Sequence, residues 1–284
     1  MEANLKIRHV FMTLSVVLFT GCASTLTHYE LGLQSYEAGK LDIAVVELQT
    51  SIASNPSDAI VHKVLGDVYF DKGQLLEAIV EWEVALKLRP TYEELKGKLE
   101  TAYMTLGIEE SDSGRVREAM EFWKKVISIN GNNIEAHKKL GLAYITEKDN
   151  ASAVPELEFV ILKNPNDDSV YRKLGMIYIE TEKNDAAIKI FEALVKLKPT
   201  DAFAYNDLGF AYIKLSKNIQ AISALEQAVK LDSTKPQIYN NLGNAYYIDK
   251  QYKKARYQWN MSMAIDPMDA VAKDFLKILD QKGE

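Results

Sequence analysis

The sequence of 284 residues is poor in the residue types that build disulfide frameworks, catalytic centres and membrane-spanning helices. It contains one cysteine, so no internal disulfide can form. An apolar run from Val10 to about Phe19 has about half of the roughly twenty residues that a membrane-spanning helix needs. Glycine-rich phosphate loops, Cys-x-x-Cys pairs and His-Glu-x-x-His stretches are missing from the sequence. We therefore expect a chain that is not an enzyme and holds no cofactor or metal.

The sequence also has fewer positively charged residues than negatively charged ones. The 34 lysines and arginines are outnumbered by 40 aspartates and glutamates, which gives a formal net charge of −6. Proteins that bind nucleic acid need clustered lysines and arginines to neutralise phosphates. We expect no nucleic-acid partner and no small-molecule substrate. Any membrane contact is expected to come from an attached lipid rather than from a basic patch.

The single cysteine, Cys22, ends a segment that has the composition of a secretory leader. Lys6 and Arg8 precede the apolar run, and the small residue Gly21 stands before the cysteine. The tetrad from Phe19 to Cys22 resembles the lipobox of bacterial lipoproteins, in which the cysteine sulfur is diacylated before the leader is cleaved.

This resemblance implies a lipoprotein signal peptide over residues 1–21, followed by a lipidated N-terminus and short linker over residues 22–27. It also implies a lipid-anchored protein of the cell envelope. In enteric-type lipoproteins, an aspartate after the cysteine is the signal against sorting to the outer membrane. Because Ala23 stands there instead, the resemblance implies the periplasmic face of the outer membrane. The alternative is a leader removed by the ordinary signal peptidase, with Cys22 as an incidental thiol.

A leucine–glycine dipeptide recurs through the rest of the chain. Its glycines are Gly32, Gly66, Gly107, Gly141, Gly175, Gly209 and Gly243. Successive glycines are 34 residues apart, except for one step of 41 residues. An alanine follows each glycine after twelve residues and a large apolar residue after sixteen, which holds one face of each helix inward. A period of 34 residues is typical of the tetratricopeptide repeat (TPR), a helix-turn-helix unit.

The resemblance to TPR proteins implies an all-α fold, a right-handed superhelical solenoid of seven TPR units over residues 28–268. Seven extra residues near 93–99 are expected to lengthen the first helix of repeat three. Residues 269–284 are expected to form a C-terminal capping helix and tail, because the last repeat needs a cover. The expected inner residues of that helix are Val271, Phe275, Ile278 and Leu279.

A solenoid of helix pairs has a concave surface that is lined chiefly by the first helices. We predict a peptide-binding groove there in repeats four to seven. Its hydrogen-bonding column consists of Lys138, Arg172, Asn206, Asn240 and Asn244, and its apolar column consists of Leu142, Met176 and Phe210. Amides can bond a peptide unit and cations can hold a carboxylate, which suits an extended or amphipathic peptide. The alternative is that these are ordinary TPR residues, with Met176 and Phe210 covered by neighbouring helices.

An exported, lipid-anchored stack of TPRs resembles the bacterial TPR lipoproteins that act as assembly factors in the envelope. In plan it is most similar to the pilotins of type IV pili, which bind secretin subunits and help them to multimerise. The resemblance implies a non-catalytic scaffold that assists a type IV pilus or secretin system. A periplasmic adaptor that gathers proteases or cell-wall enzymes is the alternative.

Overall fold

The structure is a computed structural model that describes residues 26–283, and this part of the chain contains fifteen α-helices and no strand. The helices are α1 (His28–Glu37), α2 (Leu41–Ser54), α3 (Ala59–Asp71), α4 (Leu75–Leu88), α5 (Glu93–Asp112), α6 (Val116–Ile129), α7 (Ile134–Thr146), α8 (Asn150–Lys163), α9 (Asp168–Glu180), α10 (Asn184–Leu197), α11 (Ala202–Lys214), α12 (Asn218–Leu231), α13 (Pro236–Ile248), α14 (Tyr252–Ile265) and α15 (Ala270–Lys282). The predicted all-α fold class is confirmed. Cys22 and the predicted leader lie outside the described residues.

The chain divides into two compact units, one up to Leu95 and one from Lys96 onward. Within each unit, the first helix of a repeat packs against the second helix, and the second helix packs against the first helix of the next repeat. Helices α1 to α14 supply the first and second helices of seven TPR units, and α15 follows them. None of the described helices is both long enough and apolar enough to cross a membrane.

Helix α5 contains the extra residues of repeat three. It has 20 residues, whereas α3, α7, α9, α11 and α13 each have 13. The difference of seven equals the excess in the glycine spacing, 41 instead of 34. The insertion is therefore helical, and it lengthens α5 by almost two turns.

The repeated glycines leave space for the large side chains of the second helices. A Cβ atom added to Gly175 would lie 2.4 Å from Cζ of Phe191, and one added to Gly66 would lie 2.4 Å from Cδ1 of Trp82. The other five repeats show the same encounter at 2.4 to 2.7 Å. All seven repeated alanines are fully buried, as the close approach of paired helices requires. Each glycine thus leaves space for one particular aromatic ring or leucine side chain. This role is more specific than allowing the two helices to approach each other closely.

The turn between the two helices of each repeat contains one residue in the left-handed region. In the first three repeats this residue is Gly39, Gly73 or Gly114, with φ between 70° and 79°. In the last four repeats it is Lys148, Glu182, Ser216 or Lys250, with φ between 55° and 62°. The left-handed conformation places Cβ too close to the following carbonyl oxygen, so these four turns are strained where the first three are not.

Replacing Glu182 with glycine is therefore expected to raise the free energy of unfolding by about 0.5–1 kcal/mol, because glycine relieves the strain. The neighbouring change Thr181→Gly is a matched control. Thr181 has a φ of −94° and its hydroxyl donates to the Ile177 carbonyl, so its loss should lower stability. Urea denaturation of both variants measures the difference, and equal losses at the two positions would contradict the strain.

Helix α15 packs on the last TPR unit, but with a different face from the one that the sequence predicts. Ala272 and Leu279 are fully buried, and Phe275 stacks on Trp259 with ring centroids 4.7 Å apart. The prediction for the other two members of the inner face was wrong. Val271 is 49% exposed and Ile278 is 38% exposed, because these two residues lie about 80° around the helix from the buried face.

Candidate functional site

The predicted apolar column lies along the first helices α7, α9 and α11. Leu142 and Phe210 are half-buried, and Met176 is 37% exposed. The Lys214 ammonium lies 5.3 Å from the centre of the Phe210 ring. These side chains are only partly covered by neighbouring helices, so each offers apolar surface to solvent.

A cavity of about 530 Å³ opens beside this column and contains two predicted groove residues, Arg172 and Met176. Its apolar lining also includes Ile145 and Ile177. The charged residues at the cavity are Asp168, Arg172, Lys173, Glu180 and Asp201. Two of them, Arg172 and Lys173, are cations. The side chain of Lys173 has no hydrogen bond or ion pair with any residue in the described range, whereas Arg172 is paired. The sequence prediction missed Lys173, whose place one residue after Arg172 was the available signal.

The predicted hydrogen-bonding column is engaged with the chain itself. The Lys138 ammonium donates to Asp167 Oδ2 at 2.7 Å, and the Asn240 amide donates to Asp269 Oδ2 at 2.7 Å. Arg172 likewise donates through Nη2 to Oδ2 of Asp201 at 2.9 Å. Each acceptor is 29 residues further along the chain, at the N-cap of α9, α11 or α15. These residues therefore connect successive repeats, a role that the sequence analysis did not predict.

Two of the acceptor carboxylates, Asp167 and Asp269, have pKa values below the ordinary value of aspartate, which favours their charged form. Burial alone would raise the pKa of Asp269, but hydrogen bonds from Ser262 and Asn240 and from the first amides of α15 leave it below its ordinary value. Burial similarly opposes the lowering of the Asp167 pKa by Lys138 and Ser169. Ionised acceptors strengthen these bonds, because a hydrogen bond to a charged group is stronger than a neutral one.

Asn206 differs from the rest of the column because it is buried, with 8% exposure. Its Oδ1 accepts from the Asn241 amide at 2.8 Å, and its own amide donates to Asp207 at 3.4 Å. Burial raises the pKa of Asp207 to about 6, although Arg172, with Nε 3.1 Å from Asp207 Oδ2, opposes the rise. Asn206 therefore offers little surface to a partner. Asn244 is half-buried.

No group of His, Cys, Asp and Glu side chains within residues 26–283 could hold a metal ion. The buried histidines, His62 and His137, instead connect the two helices of their repeats. Their Nδ1 atoms lie 2.6 Å from Glu81 Oε2 and 2.5 Å from Glu156 Oε2, respectively. Each ring also contacts a backbone carbonyl through Nε2.

Comparison with known proteins agrees with this architecture. Tetratricopeptide-repeat family models match residues 29–93 and 169–201, and a TPR-repeat model matches residues 211–249. The chain is a TPR repeat protein. Its fold is that of a TPR-type interaction scaffold, a class that is typically non-catalytic.

Solved structures with this fold include a MamA protein, which is 24% identical with a TM-score of 0.57, over 61% of this chain and 95% of that one. A MamA from Desulfovibrio magneticus RS-1 is 23% identical with a TM-score of 0.56, over 61% and 97%. PilF of Pseudomonas aeruginosa is 19% identical with a TM-score of 0.50, over 62% and 81%. At these identities the likeness concerns the fold alone. No curated protein matches the chain.

Proposed function

We propose that this protein is a non-catalytic scaffold that binds a peptide or amphipathic segment of a partner protein along the first helices of repeats four to seven. The observation that carries the proposal is the half-exposed apolar column beside the cavity that contains Met176. A partner side chain that entered this cavity would bury apolar surface on both molecules, which stabilises a complex by about 25 cal/mol for each Å² removed from water.

The polar residues around this column suit a peptide rather than a small charged ligand. Lys138, Arg172 and Asn240 are already bonded to carboxylates, so they hold the shape of the groove. Lys173 remains as the cation at the cavity that can pair with a partner carboxylate. The proposed site keeps the seven residues of the two columns other than the buried Asn206, with Met176 and Phe210 as its anchors.

We further propose that the protein is anchored by lipid at Cys22 on the periplasmic face of the outer membrane, where it assists assembly of a type IV pilus or secretin. The support for this finer role is the lipobox resemblance together with the TPR array. A periplasmic adaptor for proteases or cell-wall enzymes is the second candidate, because the groove chemistry suits either partner.

The groove is tested by a photoreactive phenylalanine analogue placed at Met176 in the full chain, in the cell that produces it. We expect a crosslinked partner at this position, since a bound segment would contact the side chain directly. Ile219, 79% exposed on the second helix α12, is the matched control and should give no such product. Crosslinking at Ile219 alone would contradict the groove, and mass spectrometry of the product separates the pilus role from the adaptor role.

The anchor is tested separately. The change Cys22→Ser removes the sulfur that would be acylated, so we expect a protein that takes up no fatty-acid label and leaves the membrane fraction. Metabolic labelling with an alkyne fatty acid, followed by fractionation, measures both effects. A wild-type chain that takes up no label and fractionates as soluble would contradict the anchor while leaving the groove unaffected.

A further inference from the structure

The second helix of repeat seven, α14, differs from the second helices of the other repeats. Helices α2, α4, α6, α8, α10 and α12 each contain at least one aspartate or glutamate, whereas residues 250–265 contain none. The same segment contains four cations. One of them, Arg256, pairs with Asp280 at 2.7 Å. The other three, Lys250, Lys253 and Lys254, are exposed and have no ion pair within the described part of the chain.

Apolar side chains follow these lysines along the solvent-exposed side of α14, which we call its outer face. Lys253, Tyr257, Met261 and Ile265 are four residues apart, so they form one ridge along the helix. Tyr257 is 61% exposed and Ile265 is 37% exposed. Met268, in the turn after α14, is 78% exposed. The face therefore has a basic end and an apolar end, separated by about 18 Å along the helix axis.

The position of the lysines is unfavourable for the helix itself. Lys253 and Lys254 lie in the first turn of α14, where the helix dipole is positive, and the N-cap Gln251 makes no side-chain capping bond. Negative charge brought by a partner would interact favourably with the lysines and with the dipole. The charge pattern of this face thus indicates an acidic partner.

We propose that this outer face, defined by Lys250, Lys253, Lys254, Tyr257, Met261, Ile265 and Met268, binds an acidic amphipathic segment of a partner protein. The carboxylates of the segment pair with the lysines, and its apolar side chains pack on Tyr257 and the residues after it. This second surface is separate from the groove on the first helices, so it does not depend on the proposed function.

A protein segment fits this face better than an anionic membrane does. The basic and apolar parts follow one another along a single ridge, whereas helices that lie on membranes carry cations on the polar face beside a continuous apolar face. The whole chain also has a net charge of −6, which an anionic bilayer repels. A short acidic segment interacts mainly with charges within a Debye length of about 8 Å, and residues 250–265 supply four cations and no anion.

The test uses the full chain with Cys22→Ser, so that an attached lipid does not contribute. The probe is a fluorescein-labelled helical peptide of about 16 residues, with a glutamate block followed by leucines four apart, long enough to cover the ridge. Fluorescence anisotropy should show binding that weakens as sodium chloride rises from about 50 to about 300 mM. The triple variant K250E/K253E/K254E should weaken binding by about tenfold or more, and Tyr257→Ser should also weaken it.

The matched control is K183E/K189E/K196E, which reverses three exposed lysines at α10 and makes the same change in net charge. It should bind the probe as the parent chain does, and thermal unfolding by circular dichroism should show all variants folded. No binding by the parent chain, or equal losses in the two triple variants, would overturn the proposal. Binding to phosphatidylglycerol and phosphatidylethanolamine vesicles but not to the peptide would overturn it in favour of a lipid surface.

Discussion

Replacing Gly175 with alanine is expected to lower the free energy of unfolding by about 2–3 kcal/mol, because one methyl group enters a filled core. The added Cβ would lie 2.4 Å from Cζ of Phe191 and 2.6 Å from its Cε1. Phe191 is fully buried, so its ring cannot swing into solvent to relieve the clash. Urea denaturation measures the loss.

The same substitution at Gly97 should have the opposite sign. Gly97 lies within α5, is exposed, and has nothing within 4 Å of an added Cβ. Alanine is favoured over glycine in a helix interior by about 0.5–1 kcal/mol, so Gly97→Ala should stabilise the protein. Destabilisation by both changes would show that the effect at Gly175 is not steric. Combining Gly175→Ala with Phe191→Ala should give less than the sum of the single losses.

Truncation after Asp266 is expected to lower the melting temperature by about 10 °C or to cause aggregation. It removes the buried Leu279 and the half-buried Phe275 and Leu276, each worth about 1.5–3 kcal/mol before the cost of ordering the helix. A net loss of about 3–5 kcal/mol corresponds to about 2–4 °C for each kcal/mol in a chain of this size. It also exposes Trp259, which stacks on Phe275.

The double variant Val271→Ala with Ile278→Ala distinguishes the observed inner face of α15 from the one that the sequence suggested. Both side chains are exposed, so their joint loss should change stability by no more than about 1 kcal/mol. Thermal unfolding followed by circular dichroism compares this variant with the truncated chain. A large loss in the double variant would place these residues in the core after all.

The repeat pattern alone could predict the helices and their pairing, because burial repeats with the period of the sequence. Gly175 and Phe191 illustrate this, since their sixteen-residue spacing already implied contact between paired helices. The inner face of α15 could not be predicted as well. Apolarity alone predicts that Val271 and Ile278 are buried. The face that a terminal helix buries also depends on its packing angle, which is determined by a single neighbouring surface.

The sequence could group two residues of the candidate site but could predict their chemistry only in part. Met176 and Arg172 do line one cavity. The sequence could not show that Lys138 and Arg172 bond to Asp167 and Asp201, because a donor column reads the same whether its acceptors belong to a partner or to the next repeat. The sequence analysis did not predict a role for the lysines at the start of α14, for a related reason. Their number is ordinary, and only the absence of aspartate and glutamate from residues 250–265 distinguishes this segment.

The bonds between repeats also bear on how the array can be inherited or rebuilt. The donor and the N-cap carboxylate that it holds are 29 residues apart, so each of these repeats holds the N-cap residue of the helix that follows it along the chain. A single repeat transplanted elsewhere would bring a donor that lacks its acceptor and a cap that lacks its donor. The segment that can be duplicated or recombined with this bond intact is thus the one that runs from a donor to the N-cap carboxylate 29 residues later. New arrays should therefore be joined within helices of matching register, where the bond is not divided.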